Sequence, residues 1–175
     1  MTPVILSRQQ LDQLWEIECS ETIDTLYRLD NGQLRAYREY YDVRGWDPHD
    51  RQVYTPIHEA CYDRGGIFFA FFDDEQMIAA AALDTLPRGM NGELRQLLFF
   101  YVGAGKRGQG WGRRLFQYAL HQLPEMGASG LYISSIPNKN TVDFYLAQGC
   151  RLADKPDPAL FALEPEDIHL VCHRL

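Results

Sequence analysis

The residues best suited to chemistry lie between Gly103 and Arg114, where five glycines are interleaved with Lys106, Arg107, Arg113 and Arg114. Glycine has no Cβ to hold a ligand away from the backbone and accepts positive φ, so such a loop can turn successive N–H groups toward one point. A helix starting near Trp111 would add the positive end of its dipole, and Arg107, Arg113 and Arg114 add full charges. The chemistry this supports is capture of a phosphate or pyrophosphate. Just ahead, Leu97-Leu-Phe-Phe-Tyr-Val102 is an apolar run too short for a typical helix and closed by Gly103, which predicts a buried strand. The stretch Glu93–Leu115 thus reads as strand, anion cradle, helix.

Three phosphate motifs compete for the loop. Residues 103–108 match the dinucleotide fingerprint GxGxxG, but that motif needs a helix directly after its third glycine. It also needs an acidic residue ending the next strand, where Ser134 and Ser135 stand. A P-loop fails because no Ser or Thr follows Lys106. The third candidate, Arg107-Gly108-Gln109-Gly110-Trp111-Gly112, has the form [Gln/Arg]-x-x-Gly-x-[Gly/Ala].

A second signal follows at a fitting distance. After an amphipathic pattern (Leu115, Phe116, Ala119, Leu120, Leu123) come the strand-like run Leu131–Ile136 and a short helical pattern from Asn138 to Gly149 that carries Tyr145. This pairing resembles the GNAT superfamily of acyl-CoA-dependent N-acetyltransferases, over Glu93 to about Leu152 and more loosely back to Ile67. The resemblance implies a single three-layer α/β acetyltransferase domain over 1–175, with a mixed, mostly antiparallel sheet whose central strands splay and which helices flank. It implies acetyl-CoA as co-substrate, held over 93–152 by Tyr101, Val102, Arg107, Gly108, Gln109, Gly110, Trp111, Gly112, Arg113 and Asn138, with no metal. It further implies an oxyanion-binding N–H near Val102, freed by a strand bulge, and Tyr145 as the acid for the leaving thiolate. Tyr145 is suited to that, since a phenol of pKa about 10 can donate to a thiolate whose conjugate acid lies near 8–9. Asn138 would hold the pantetheine arm or fix the splay. The family's common glutamate position falls on Gln96, which cannot take a proton. Glu93, Glu21, a carboxylate acting through water or a histidine remain open as base.

Bulk properties bound the rest. At 175 residues and 46% hydrophobic, the chain can bury one sizeable core. A formal charge of −7 argues against nucleic acid as a general partner. The N-terminal stretch has neither a signal-peptide pattern nor an apolar run able to span a bilayer, so the expectation is a cytoplasmic protein with no membrane partner, monomeric or homodimeric. Cys19, Cys61, Cys150 and Cys172 are scattered, which reads as reduced, mostly buried thiols. The five histidines show no metal-like spacing.

The segment 18–64 has no familiar pattern and is the expected acceptor region. Its carboxylates (Glu16 just ahead, then Glu18, Glu21, Asp24, Asp42, Asp47, Asp50) would draw a cationic amine, unless they are a solvated face. Trp46 and Tyr40 are candidates for a cation cage, with ordinary packing as the alternative. Asn31-Gly32 predicts a hairpin between 23–29 and 33–41, and Pro56 at a first helical position predicts a helix over 55–62. Gln9–Ile17 reads as a helix, and 67–72 with 77–83 as a second hairpin despite four alanines in a row. Segments 150–153, 161–163 and 168–173 read as closing strands. The function these readings support is acetyl transfer from acetyl-CoA to a primary amine of a small molecule or peptide. The other reading is a non-catalytic acyl-CoA-binding or sensing module.

Overall fold

The computed structural model describes residues 2–174. Its strands are β1 (Val4–Ile5), β2 (Glu21–Asp30), β3 (Gln33–Val43), β4 (Ile67–Asp73), β5 (Gln76–Arg88), β6 (Leu94–Val102), β7 (Gly130–Ser135), β8 (Arg151–Leu152) and β9 (Ile168–His173). The helices are α1 (Pro48–Asp63), α2 (Trp111–Gln122), α3 (Lys139–Ala147) and α4 (Pro158–Leu163), and a 3₁₀ helix covers Arg8–Glu16. Seven strands form one sheet in the order β1-β4-β5-β6-β7-β9-β8, while β2 and β3 pair separately. Within the large sheet only β6 and β7 run parallel.

The alanine run forms the middle of β5 because of what faces it. Phe68, Phe69 and Phe71 of β4 stand opposite Ala82, Ala81 and Ala79. Large residues on one strand and small ones on the next fill both faces, and all six are buried. Burying each phenylalanine is worth about 2–3 kcal/mol, which overrides alanine's weak helical preference. One face of the sheet carries α2 and α3 over Leu97, Phe100, Leu115, Phe116 and Tyr145. The opposite face carries the 3₁₀ helix and α1 over Ala80, Ala82 and Phe99, and α4 packs there against Tyr132 and Val171. The expected turn at Asn31-Gly32 is present, with φ of 49° and 77°, as a two-residue hairpin demands.

Two expectations fail for the same reason. The helix placed at 55–62 is α1 and begins at Pro48, with the Asp47 carboxylate accepting from the His49 N–H. Pro56 lies inside it on an exposed position, so the helix continues past one missing hydrogen bond. The strand expected at 161–163 is instead α4, capped by Asp157, which accepts from the Ala159 and Leu160 N–H groups. In both helices an Asp-Pro pair supplies cap and first residue. The helix expected at 9–17 is a 3₁₀ helix over Arg8–Glu16, ahead of which the Ser7 N–H and hydroxyl both donate to Gln10 Oε1.

Candidate active site

The strand, glycine loop and helix follow one another as the sequence implies. Gly108 and Gly110 have φ of 73° and 85°, and a Cβ on either would stand in open space above the loop. Gly112 is packed, its Cβ position 3.3 Å from the Phe144 ring. The first helical backbone bond of α2 runs from the Arg114 N–H to Gly110 O. The N–H groups of Gly108, Gln109, Gly110, Trp111, Gly112 and Arg113 find no acceptor among the described residues. Six amides without acceptors, gathered at a helix N-terminus, fit a pyrophosphate.

The basic residues around the loop do different work. Arg107 Nε donates to Val102 O at 3.1 Å and its Nη1 to Ser20 O at 3.2 Å, with Glu21 3.6 Å away, so it ties the loop to β2. Lys106 pairs with Asp73, and Arg114 lies over the Trp111 ring. Arg113 lines the cleft and has no ion pair among the described residues. Gln109 braces the loop by donating to Gly105 O at 2.9 Å. The Trp111 ring packs against Phe71, so this residue offers the cradle its backbone.

Beside the cradle the sheet opens. β6 and β7 pair only from Leu94–Gly130 to Gln96–Tyr132; beyond that β6 stays with β5 and β7 with β9. The irregularity expected near Val102 sits earlier: Ala82 pairs with Phe99 and Leu83 with Leu97, which leaves Leu98 as the extra residue. Leu98 and Phe99 consequently pack into the same face. Val102 stays in register with Ala79. Its N–H is freed differently. The Gly103 N–H donates to Ile78 O, so strand alternation turns the Val102 N–H to the opposite edge, where β7 has departed.

Tyr145 lines this opening from α3, its ring packed by Phe100, Phe116 and Phe144. Burial pushes its hydroxyl well above the ordinary phenol pKa, which keeps it protonated. Asn138 is 1% exposed and does not line the cleft; its Oδ1 caps α3 at the Asn140 N–H, and Asn140 and Thr141 face the opening instead. Asn138 is thus placed as the cap of α3 and not in the cleft wall.

Opening and cradle belong to one cleft of about 950 Å³, which continues over the face of the sheet that carries α1 and α4. Trp15, Trp46, Tyr54, His58, Phe99 and Tyr101 form an aromatic wall there. Trp46 and Tyr101 are 4.4 Å apart between centroids, and the Trp46 N–H donates to Ile17 O. Tyr40, the other proposed cage residue, is 68% exposed on β3 and takes no part. Burial holds the His58 imidazole neutral, with its pKa brought down to about 4. Burial would raise Asp84, but two hydrogen bonds from Arg64 at 2.7 Å hold it below the usual range. Of the N-terminal carboxylates, Glu21 and Asp50 reach the cleft. Glu93 does not; its carboxylate accepts from the Asn91 N–H in its own loop. Glu164 and Asp167, which the sequence reading did not single out, line the cleft from the C-terminal part of the chain. The four cysteines are free and buried. Among the described residues no group of three His, Cys, Asp or Glu is placed to hold a metal, and no helix is long and apolar enough to cross a membrane.

A family model described as the acetyltransferase (GNAT) family matches residues 23–150. The chain belongs to the GNAT acetyltransferase family. As a GNAT protein it is an acyl-CoA-dependent acetyltransferase with acetyl-CoA as co-substrate. A comparison with curated proteins finds no match. Among solved structures the GNAT fold is shared with nourseothricin acetyltransferase, at 20% identity over 98% of this chain and 97% of that chain, TM-score 0.72. A protein from Bacillus anthracis strain Ames described as a streptothricin acetyltransferase, in complex with acetyl coenzyme A, aligns at 19% identity over 99% of both chains, TM-score 0.65. The PaiA N-acetyltransferase of Thermoplasma acidophilum, in complex with coenzyme A, aligns at 14% over 99% of this chain and 100% of that chain, TM-score 0.63.

Proposed function

We propose that this cleft N-acetylates a cationic primary amine by direct attack in a ternary complex. What carries the reading is the row of six unpartnered N–H groups from Gly108 to Arg113, opening into a chamber that holds carboxylates and an aromatic wall. Acetyl-CoA, when bound, supplies the activated acetyl thioester. The loop amides and Arg113 hold its pyrophosphate, and the free edge of Tyr101–Val102 aligns its arm. The Val102 N–H donates a hydrogen bond to the acyl oxygen as negative charge grows there, the kind of fixed donor worth about 3–4 kcal/mol of barrier. The Tyr145 hydroxyl donates its proton to the departing sulfur.

The acceptor side favours a cation. Glu21, Asp50 and Glu164 line it together with Trp15, Trp46 and Tyr54, and aromatic faces next to carboxylates attract an ammonium group from both sides. The test is thiol release from acetyl-CoA across a panel of amines. Diamines and polyamine-like substrates are expected to outpace neutral amines, and anionic amino acids to be slowest, with a modest decline as salt rises. Equal rates for an anionic amino acid and a polyamine would overturn the acceptor assignment. Acetyl-CoA binding without thiol release for any amine would favour a non-catalytic module.

A further inference from the structure

Gln96 leaves the reaction without its base on β6, and the chamber carries another candidate. Five carboxylates line the cleft, and most are committed. Asp84 is held by Arg64 and Glu21 lies near Arg107. Glu164 accepts from the Tyr54 hydroxyl, and Asp50 sits exposed in the first turn of α1. Asp167 differs. Its Oδ2 accepts one hydrogen bond, from Ser134 Oγ at 2.7 Å, and no cation pairs with it among the described residues. Ser134 lies two residues beyond Tyr132, the last residue of β7 paired to β6. It follows Ile133, which packs into the α2 and α3 face, so alternation turns Ser134 to the acceptor face. Ser134 and Asp167 thus stand where the sheet has opened, on the side from which the amine approaches.

Resting on the acetyltransferase reading above, we propose that Asp167 is the general base that takes the proton from the acceptor ammonium, with Ser134 positioning its carboxylate. The proton balance is complete. The ammonium gives one proton to Asp167, which passes it to solvent; the freed lone pair forms the N–C bond as the C–S bond breaks. The nitrogen then loses a second proton, matching the one that Tyr145 gives to the sulfur and must regain. Asp167 and Tyr145 both line the one cleft.

The groups facing Asp167 all act on its titration in known directions. Its pKa is raised to about 6, chiefly by burial, with the Ser134 bond lowering it and the charge of Glu164, just after α4, raising it. Tyr54 of α1 and Tyr145 of α3 stay protonated, and burial favours neutral His169, which pairs with Ser134 across β7 and β9. A base that ionises near pH 6 is available at neutral pH.

The experiment compares the full-length parent with Asp167→Asn and Ser134→Ala, using acetyl-CoA and whichever amine the parent acetylates best. Asn keeps the shape and can accept the Ser134 bond, and it removes a buried charge, so D167N is expected to melt no lower than the parent at pH 8. Its kcat should fall about a hundredfold or more, with the acetyl-CoA thermal shift unchanged and the acid limb of the rate profile gone. S134A should lose less activity and move that limb to higher pH, because the bond that favours the carboxylate is lost. A D167N rate within about twofold of the parent, or an S134A limb that does not move, overturns the assignment. A parent inactive with every amine would instead defeat the acetyltransferase reading on which the assignment rests.

Discussion

Gln96 Oε1 accepts a hydrogen bond from Arg88 Nη2 at 3.1 Å, and the same arginine pairs through Nη1 with Asp157 at 2.9 Å. The position where related enzymes commonly carry a glutamate is therefore a strut. It joins β6 to β5 and, through Asp157, to the N-terminus of α4. A neutral amide suits this place, since a carboxylate there would compete with Asp157 for Arg88.

Asp157→Ala should therefore act on α4. It removes a cap worth about 1 kcal/mol and leaves a largely buried arginine without its partner, for a combined loss of about 2–4 kcal/mol. Because Leu160, Leu163 and Glu164 line the acceptor chamber, KM for the amine should rise while acetyl-CoA affinity holds. Denaturant titration and separate binding of the two substrates check this.

Gly110→Asp addresses the cradle. The residue has φ of 85°, costly for a residue with a Cβ by about 1–2 kcal/mol, and the added carboxylate would face the pyrophosphate. The parent should gain about 2.7 kcal/mol at acetyl-CoA a hundredfold above its Kd. Calorimetric melting should show that gain in the parent and none in the variant.

Tyr145→Phe isolates proton donation. Phe keeps the ring packing against Phe100 and Phe116, so stability should change by no more than about 1 kcal/mol. Turnover should drop about a hundredfold where chemistry limits the rate, with acetyl-CoA affinity unaltered. Turnover within about twofold of the parent would assign Tyr145 to packing and leave the sulfur to be protonated by water.

His58 gives a pH signature of stability. Its folded pKa, about 4, lies below the ordinary value of 6.5. The native state thus favours the neutral ring. That contribution is fully present above pH 6.5 and is lost as pH falls through 4, up to about 3 kcal/mol. Stability measured from pH 7 to 4 should fall in the parent more steeply than in His58→Phe, which has nothing to protonate.

The legible parts of the molecule were those specified locally. The glycines at 108, 110 and 112, the helix at Trp111 and the Asn138–Tyr145 spacing lie in one continuous stretch, and the strand, loop and helices they predict are the ones that form. Asn31-Gly32 fixes its own turn through positive φ. The misread helices also had local signals, Asp47-Pro48 and Asp157-Pro158, masked in one case by Pro56 and in the other by the apolar run Phe161-Ala-Leu. The acceptor chamber was beyond such reading. Asp167 meets Ser134 across 33 residues and Tyr54 meets Glu164 across 110, so neither pair is visible as spacing. The position of the bulge was also hidden, because Leu97, Leu98 and Phe99 are all apolar and only packing decides which residue is extra.

In the proposed reaction the acetyl group passes directly from acetyl-CoA to an amine within this cleft. Acetyl-CoA labelled in its acetyl carbon, mixed with the protein and the best amine of the panel, tests it most directly by mass spectrometry of both small molecules and protein. Direct transfer puts label in the amide product and none on the protein before the amine is added, and it gives initial-rate lines that intersect when both substrates are varied. Label on a protein side chain, or parallel initial-rate lines, would contradict it.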